Sequence, residues 1–210
     1  MSEAVYEPWL TREGFPLVQS YCWSLSVKQA KALAARWAEL VPHRIACLAQ
    51  YIRATPGFES WQPDFTTRSM KPLGPWALTV CKTRPGTQAD ACPPSLSDKL
   101  SPAIQADLRD MNSGPPEWVY VDEEHAFSVF FDIGAYMGEA IRLRVPGLHW
   151  GCDLEYRRDY SYKTFALLDK AGSNCWEPMI QPRNIVGQIL DAERPVNDGF
   201  AALLKHICGR

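Results

Sequence analysis

The stretch that decides the fold is Val121–Gly147, VDEEHAFSVFFDIGAYMGEAIRLRVPG. Its ends and its period both predict a helix. Asp122 can cap the first turn, and Glu123 and Glu124 suit the positive end of the helix dipole. Arg142 and Arg144 suit the negative end, and Pro146-Gly147 stops the element. Between these ends Phe127, Val129, Phe130, Phe131, Ile133, Tyr136, Met137, Ile141 and Leu143 spread round most of the cylinder, the pattern of a helix buried on several sides. One thin row interrupts them at steps of three or four: His125, Ser128, Asp132, Ala135, Glu139 and Arg142 share a face. Gly134 and Gly138 stand one turn apart and predict a notch for a neighbouring backbone.

Outward from this helix, the order of elements predicts an α+β fold rather than an alternating parallel sheet. A buried central helix packs on a small antiparallel sheet, with further helices at both ends. On the N-terminal side Ser26 caps a helix through Leu40, and Val27, Ala30, Leu33, Ala34, Trp37 and Leu40 give it an apolar face. Pro42 is expected to break or kink it, and a second helix is expected from His43 to Arg53. Residues 56–116 are proline-rich and read as turns and short elements. They include an extended segment over Trp76–Lys82 and a modest helix over Ser97–Met111. Glu117–Val121 leads into the central helix as a short strand. Beyond it, Leu148–Tyr156 and Lys163–Leu168 read as strands joined by RRDYSY, and Trp176–Ile180 as a third. Helices then follow from Pro182 to Leu190 and after Asn197-Asp198. The whole is expected to form a single domain over 1–210, divided into a helical part (1–55), the proline-rich region (56–116) and a helix–hairpin–helix core (117–210).

The bulk numbers narrow the function classes. The chain has 210 residues, a net charge of −2, 46% hydrophobic and 22% charged residues, ordinary values for a soluble globular protein. Without a basic patch there is no expectation of nucleic-acid binding. No run approaches the ~20 apolar residues that span a bilayer, and MSEAVYEPWLTREGF lacks the pattern of a secretion signal. Seven scattered cysteines point to reduced thiols. The expectation is a cytoplasmic protein that meets no membrane. Most of the eight tryptophans are expected in the core, since large aromatics dominate burial.

No catalytic signature stands out, and no catalytic residue is assigned. Asp132 and Glu139, seven apart on one face, lie ~10 Å apart along the axis, whereas paired glycosidase carboxyls sit ~5 Å or ~6.5–9.5 Å apart. A structural polar stripe of His125, Asp132, Glu139 and Arg142 is the expected reading, with Glu139 paired to Arg142, Arg157 or Arg158. His149 and Cys152 stand at HxxC spacing, and His43 and Cys47 share a helix face. Cys175, His206 and Cys208 complete the candidates. None forms a paired zinc motif, so neither metal nor cofactor is expected. A thiol nucleophile at Cys152 is weakened because residues 149 and 152 point to opposite faces of a strand. There is no nucleophile elbow, P-loop or dinucleotide fingerprint.

Gly134-Ala135-Tyr136-Met137-Gly138-Glu139-Ala140-Ile141-Arg142, followed by Pro146-Gly147 and Trp150, resembles a helix-plus-hairpin pattern of uncharacterised bacterial α+β domains. Several of those look like immunity proteins of contact-dependent or secretion-system toxins. Met137 stands where leucine or phenylalanine is usual, and the resemblance covers residues 134–150 only. It implies a small non-enzymatic protein that binds and blocks a cognate toxin domain. Arg157, Arg158, Asp159, Tyr160 and Tyr162 at the hairpin tip are the candidate contacts, since arginine and tyrosine anchor interfaces. Two other classes stay open: a small hydrolase-like enzyme using His125, Ser128, Asp132 and Glu139 with His149, and a small-molecule sensor with an aromatic pocket.

Overall fold

The computed structural model describes residues 25–86, 118–157, 161–178, 180–191 and 197–209. Helix α1 spans Val27–Ala54, and Ser26 caps it in a reciprocal box with Gln29. One continuous helix therefore stands where the sequence predicted two. Pro42 lies inside it, exposed, although an interior proline costs ~3 kcal/mol. The reason is burial: Ala34, Trp37 and Val41 before the proline and Ile45, Leu48 and Ile52 after it form one buried face that runs across it.

A one-turn helix α2 (Thr67–Met70) leads to α3 (Leu73–Val80). Helix α3 replaces the extended segment expected at Trp76–Lys82. Trp76, Thr79 and Val80 favour strands locally, but Leu73, Trp76 and Ala77 are buried at helical spacing, and Pro75 falls in the first turn, where no N–H is needed. The Trp76 indole donates to Thr55 Oγ1 at the end of α1, at 3.0 Å. Strands β1 (Thr83–Pro85) and β2 (Trp118–Tyr120) then pair antiparallel. The helix expected over Ser97–Met111 lies outside the described residues.

The central helix, α4, spans Glu123–Arg142, and the Asp122 side chain accepts from the His125 N–H. It ends before Leu143, which is 60% exposed rather than part of the apolar surface. Strands β3 (His149–Cys152), β4 (Phe165–Leu168) and β5 (Asn174–Trp176) form an antiparallel sheet in that order. The third strand sits earlier than expected because Pro178 cannot extend a ladder, and the chain turns there into α5 (Ile180–Leu190). Helix α6 (Gly199–Cys208) closes the fold. The architecture is α+β, with α4 in the middle of the core and in contact with α1, α3, α5 and α6.

The two glycines of α4 explain how closely it is wrapped. A methyl group at Gly134 would overlap the backbone of Pro178, and one at Gly138 would overlap the Trp150 ring and reach Trp176 Cδ1 at 3.1 Å. The Trp176 indole donates to Gly134 O at 2.9 Å. The expected notch is thus filled by the chain leaving β5 and by an indole from β3. That contact offsets the ~1 kcal/mol each glycine costs a helix relative to alanine. Trp37, Trp61, Trp76 and Trp176 are buried. Cys47, Cys81, Cys152, Cys175 and Cys208 are free thiols. Among the described residues no helix is long and apolar enough to cross a membrane.

Candidate functional site

The polar row on α4 meets different partners along its length. At its start, His125 is half-buried, its Nε2 3.4 Å from the Tyr51 hydroxyl of α1, with the two rings edge to face. Burial lowers its pKa, opposed in part by the Asp122 carboxylate. In the middle, Ser128 and Asp132 have no exposed surface. Arg44 of α1 grips Asp132 in a two-pronged ion pair, Nε to Oδ1 at 2.9 Å and Nη2 to Oδ2 at 2.6 Å. At the far end, Glu139 accepts from Arg142 Nη2 at 2.8 Å and from the Trp150 indole at 2.5 Å. The hydrogen bonds to Glu139 raise the Arg142 pKa. The two carboxylates therefore serve separate contacts, Asp132 toward α1 and Glu139 toward β3. His149 is exposed on β3.

Arg44 was not singled out from the sequence, although a signal existed. It occupies the apolar face of α1 between Val41 and Leu48, and a charge at such a position needs a buried counter-charge. Which residue supplies that charge, 88 positions away, has no local signature.

The β3–β4 connection is built on a second polar group. Asp153 is buried. Its backbone exchanges hydrogen bonds with Lys163 and Thr164, at 2.6 and 2.9 Å. Its carboxylate accepts from the Glu155 N–H at 3.0 Å and from Asn174 Nδ2 at 2.9 Å. Thr164 Oγ1 donates to Ser161 O at 2.6 Å and bonds the buried Glu177 at 3.1 Å. Lys163 adopts a left-handed backbone, φ 68°, and its amine donates to Leu25 O and lies 5.3 Å from the Tyr162 ring. This base holds Glu155, Tyr156 and Arg157 exposed, with Tyr156 at 63%. Tyr162 is half-buried beside them. Arg158, Asp159 and Tyr160 lie outside the described residues. Asp153, Asn174 and Glu177 escaped the sequence reading because each is unremarkable alone and only the sheet register gathers them.

Next to this connection a groove of about 510 Å³ opens between α1 and the sheet, with Lys31, Ala34, His149, Gly151, Glu155 and Ser173 among its walls. Among the described residues no three histidine, cysteine or acidic side chains gather as metal ligands. The chain gives no significant match to any protein-family model, curated protein or solved structure.

Proposed function

We propose that this chain is a non-enzymatic binding protein of the bacterial immunity type, which holds and blocks a toxin domain through its β3–β4 connection. The observation that carries the reading is the contrast between two polar groups. Asp132 and Glu139, the acids a hydrolytic site on α4 would need, are engaged by Arg44, Arg142 and Trp150. Tyr156, 63% exposed, and the exposed Arg157 lie on the β3–β4 connection, whose base is tied down by Asp153 and Thr164. A preorganised loop loses less conformational freedom on binding, and tyrosine and arginine are the side chains that anchor interfaces.

The test is binding to the protein encoded beside this gene. A stable complex with a Kd on the order of nanomolar is expected. Replacing Tyr156 and Arg157 together by alanine should weaken it by at least ~30-fold, the ~2 kcal/mol of a hot spot. Absence of a complex, or a turnover abolished by Glu139→Gln with stability intact, overturns the proposal. A second reading, a small-molecule sensor, draws on the groove beside β3, whose volume lies in the usual ligand-pocket range of ~300–1,000 Å³. A thermal-shift response to a metabolite, lost on Gly151→Leu, would favour it.

A further inference from the structure

Two described residues other than glycine have a left-handed backbone, Phe65 at φ 58° and Lys163 at φ 68°. Side chains rarely adopt that conformation, and it persists only where the surroundings over-determine it, as they do at ligand clamps and switch regions. Phe65 is accounted for by the core. Its N–H donates to the Tyr136 hydroxyl at 2.8 Å, and its ring stacks on the Tyr136 ring. Lys163 is held differently, by its backbone at one end and its amine at the other.

The Lys163 N–H donates to Asp153 O at 2.6 Å, while the Asp153 N–H donates to Thr164 O at 2.9 Å. These two bonds close the β3–β4 connection at its base. The side chain leaves the connection: its amine lies 5.3 Å from the Tyr162 ring centre and donates to Leu25 O. Leu25 stands 138 positions earlier, directly before the Ser26 cap of α1, and packs against the core. Glycine or asparagine would take the left-handed backbone more readily. Neither carries a donor on a flexible four-carbon stem, and that stem is what spans the distance to α1. The reach of the amine, not the backbone, therefore explains a lysine at this position.

We infer that Lys163 is a positioning residue, a latch that fixes the β3–β4 connection to the start of α1. The bond from its amine to Leu25 O holds Lys163 in a backbone conformation it would otherwise leave, and that conformation sets the direction in which the chain leaves the connection for β4. Releasing the amine loosens both segments, so the connection and the first turn of α1 open together. The inference deepens the proposed function and rests on it, since the latched connection is the one that carries Tyr156 and Arg157, but the latch itself is measured without a partner.

Amide hydrogen exchange on the full chain tests it in Lys163→Gly, Lys163→Met and Lys163→Arg. The glycine variant is the sharpest, because it relieves the backbone and removes the amine at once. Exchange at residues 154–157 and 162 should rise by ~10-fold in the glycine and methionine variants, the factor that losing one hydrogen bond from a charged donor represents. Gln29 and Ala30, whose N–H groups bond Ser26 in the first turn of α1, should speed up with them. Arginine, which keeps a charged donor on a long stem, should restore most of the protection in both segments. Phe130 and Phe131 in the middle of α4 should exchange as in the parent throughout, which reports an intact core. Three results overturn the inference: a glycine variant no faster than the parent, an arginine variant as fast as methionine, or a connection that speeds up while Gln29 and Ala30 do not. With the protein encoded beside this gene, Lys163→Met should weaken the complex although Tyr156 and Arg157 are unchanged. Absence of any complex overturns the proposed function alone and leaves the exchange result standing.

Discussion

A single buried pair sets the terms on which α1 and α4 associate. Arg44 and Asp132 are almost wholly shielded, with side-chain exposures of 8% and 0%. Breaking a buried ion pair by removing one partner costs ~3–5 kcal/mol. Arg44→Ala should lower unfolding stability by about that amount in urea titrations. The double replacement Arg44→Met with Asp132→Leu should recover most of the loss, because well-packed apolar side chains replace buried ion pairs at little net cost. A double variant no more stable than the single one would mean that the pair supplies more than mutual compensation. The same residues mark the reach of the sequence. Asp132 is visibly a charge in the middle of a helix apolar round most of its surface, yet its pairing with Arg44 is a long-range fact that no local spacing encodes.

Elements were legible where local chemistry and tertiary burial agree. Ser26 with Gln29 and Asp122 with the His125 N–H are caps, and caps are written within four residues. The β3–β4 pairing followed from apolar strand residues either side of a polar connection, and its register joins His149 to Leu168 and Cys152 to Phe165. Elements were misread where burial outweighs propensity. Trp76, Thr79 and Val80 are strand formers, but the core takes side chains of residues 73–80 at helical spacing and so imposes a helix. Pro42 is the opposite case, a breaker overruled by a buried face that runs across it. This makes Pro42→Ala a stabilising change: it restores one backbone donor in mid-helix on an exposed position. The gain should approach ~3 kcal/mol, read as a higher urea midpoint with an unchanged slope. A loss of stability would show that α1 depends on the geometry that proline imposes.

At the scale of the whole molecule, stability should depend on pH through the contact of α1 with the start of α4. Burial holds the His125 pKa below its ordinary 6.5, with Asp122 opposing. The folded protein therefore prefers the neutral ring, and the unfolded chain takes up the proton first. The contribution is complete above pH 6.5 and is lost progressively as pH falls toward the folded value. Denaturation midpoints measured above and below pH 6.5 should separate in the parent and converge in His125→Asn. Equal slopes in both proteins would assign the pH dependence to other groups. The place of the Arg44–Asp132 pair along its two helices has a further consequence, for motion. Both residues lie well inside their elements, so a slide of one helix past the other by a single turn, ~5.4 Å, would tear two charges apart inside the core. Helices that cannot shear move together, and any conformational adjustment this molecule makes falls to the connections rather than to its central pair.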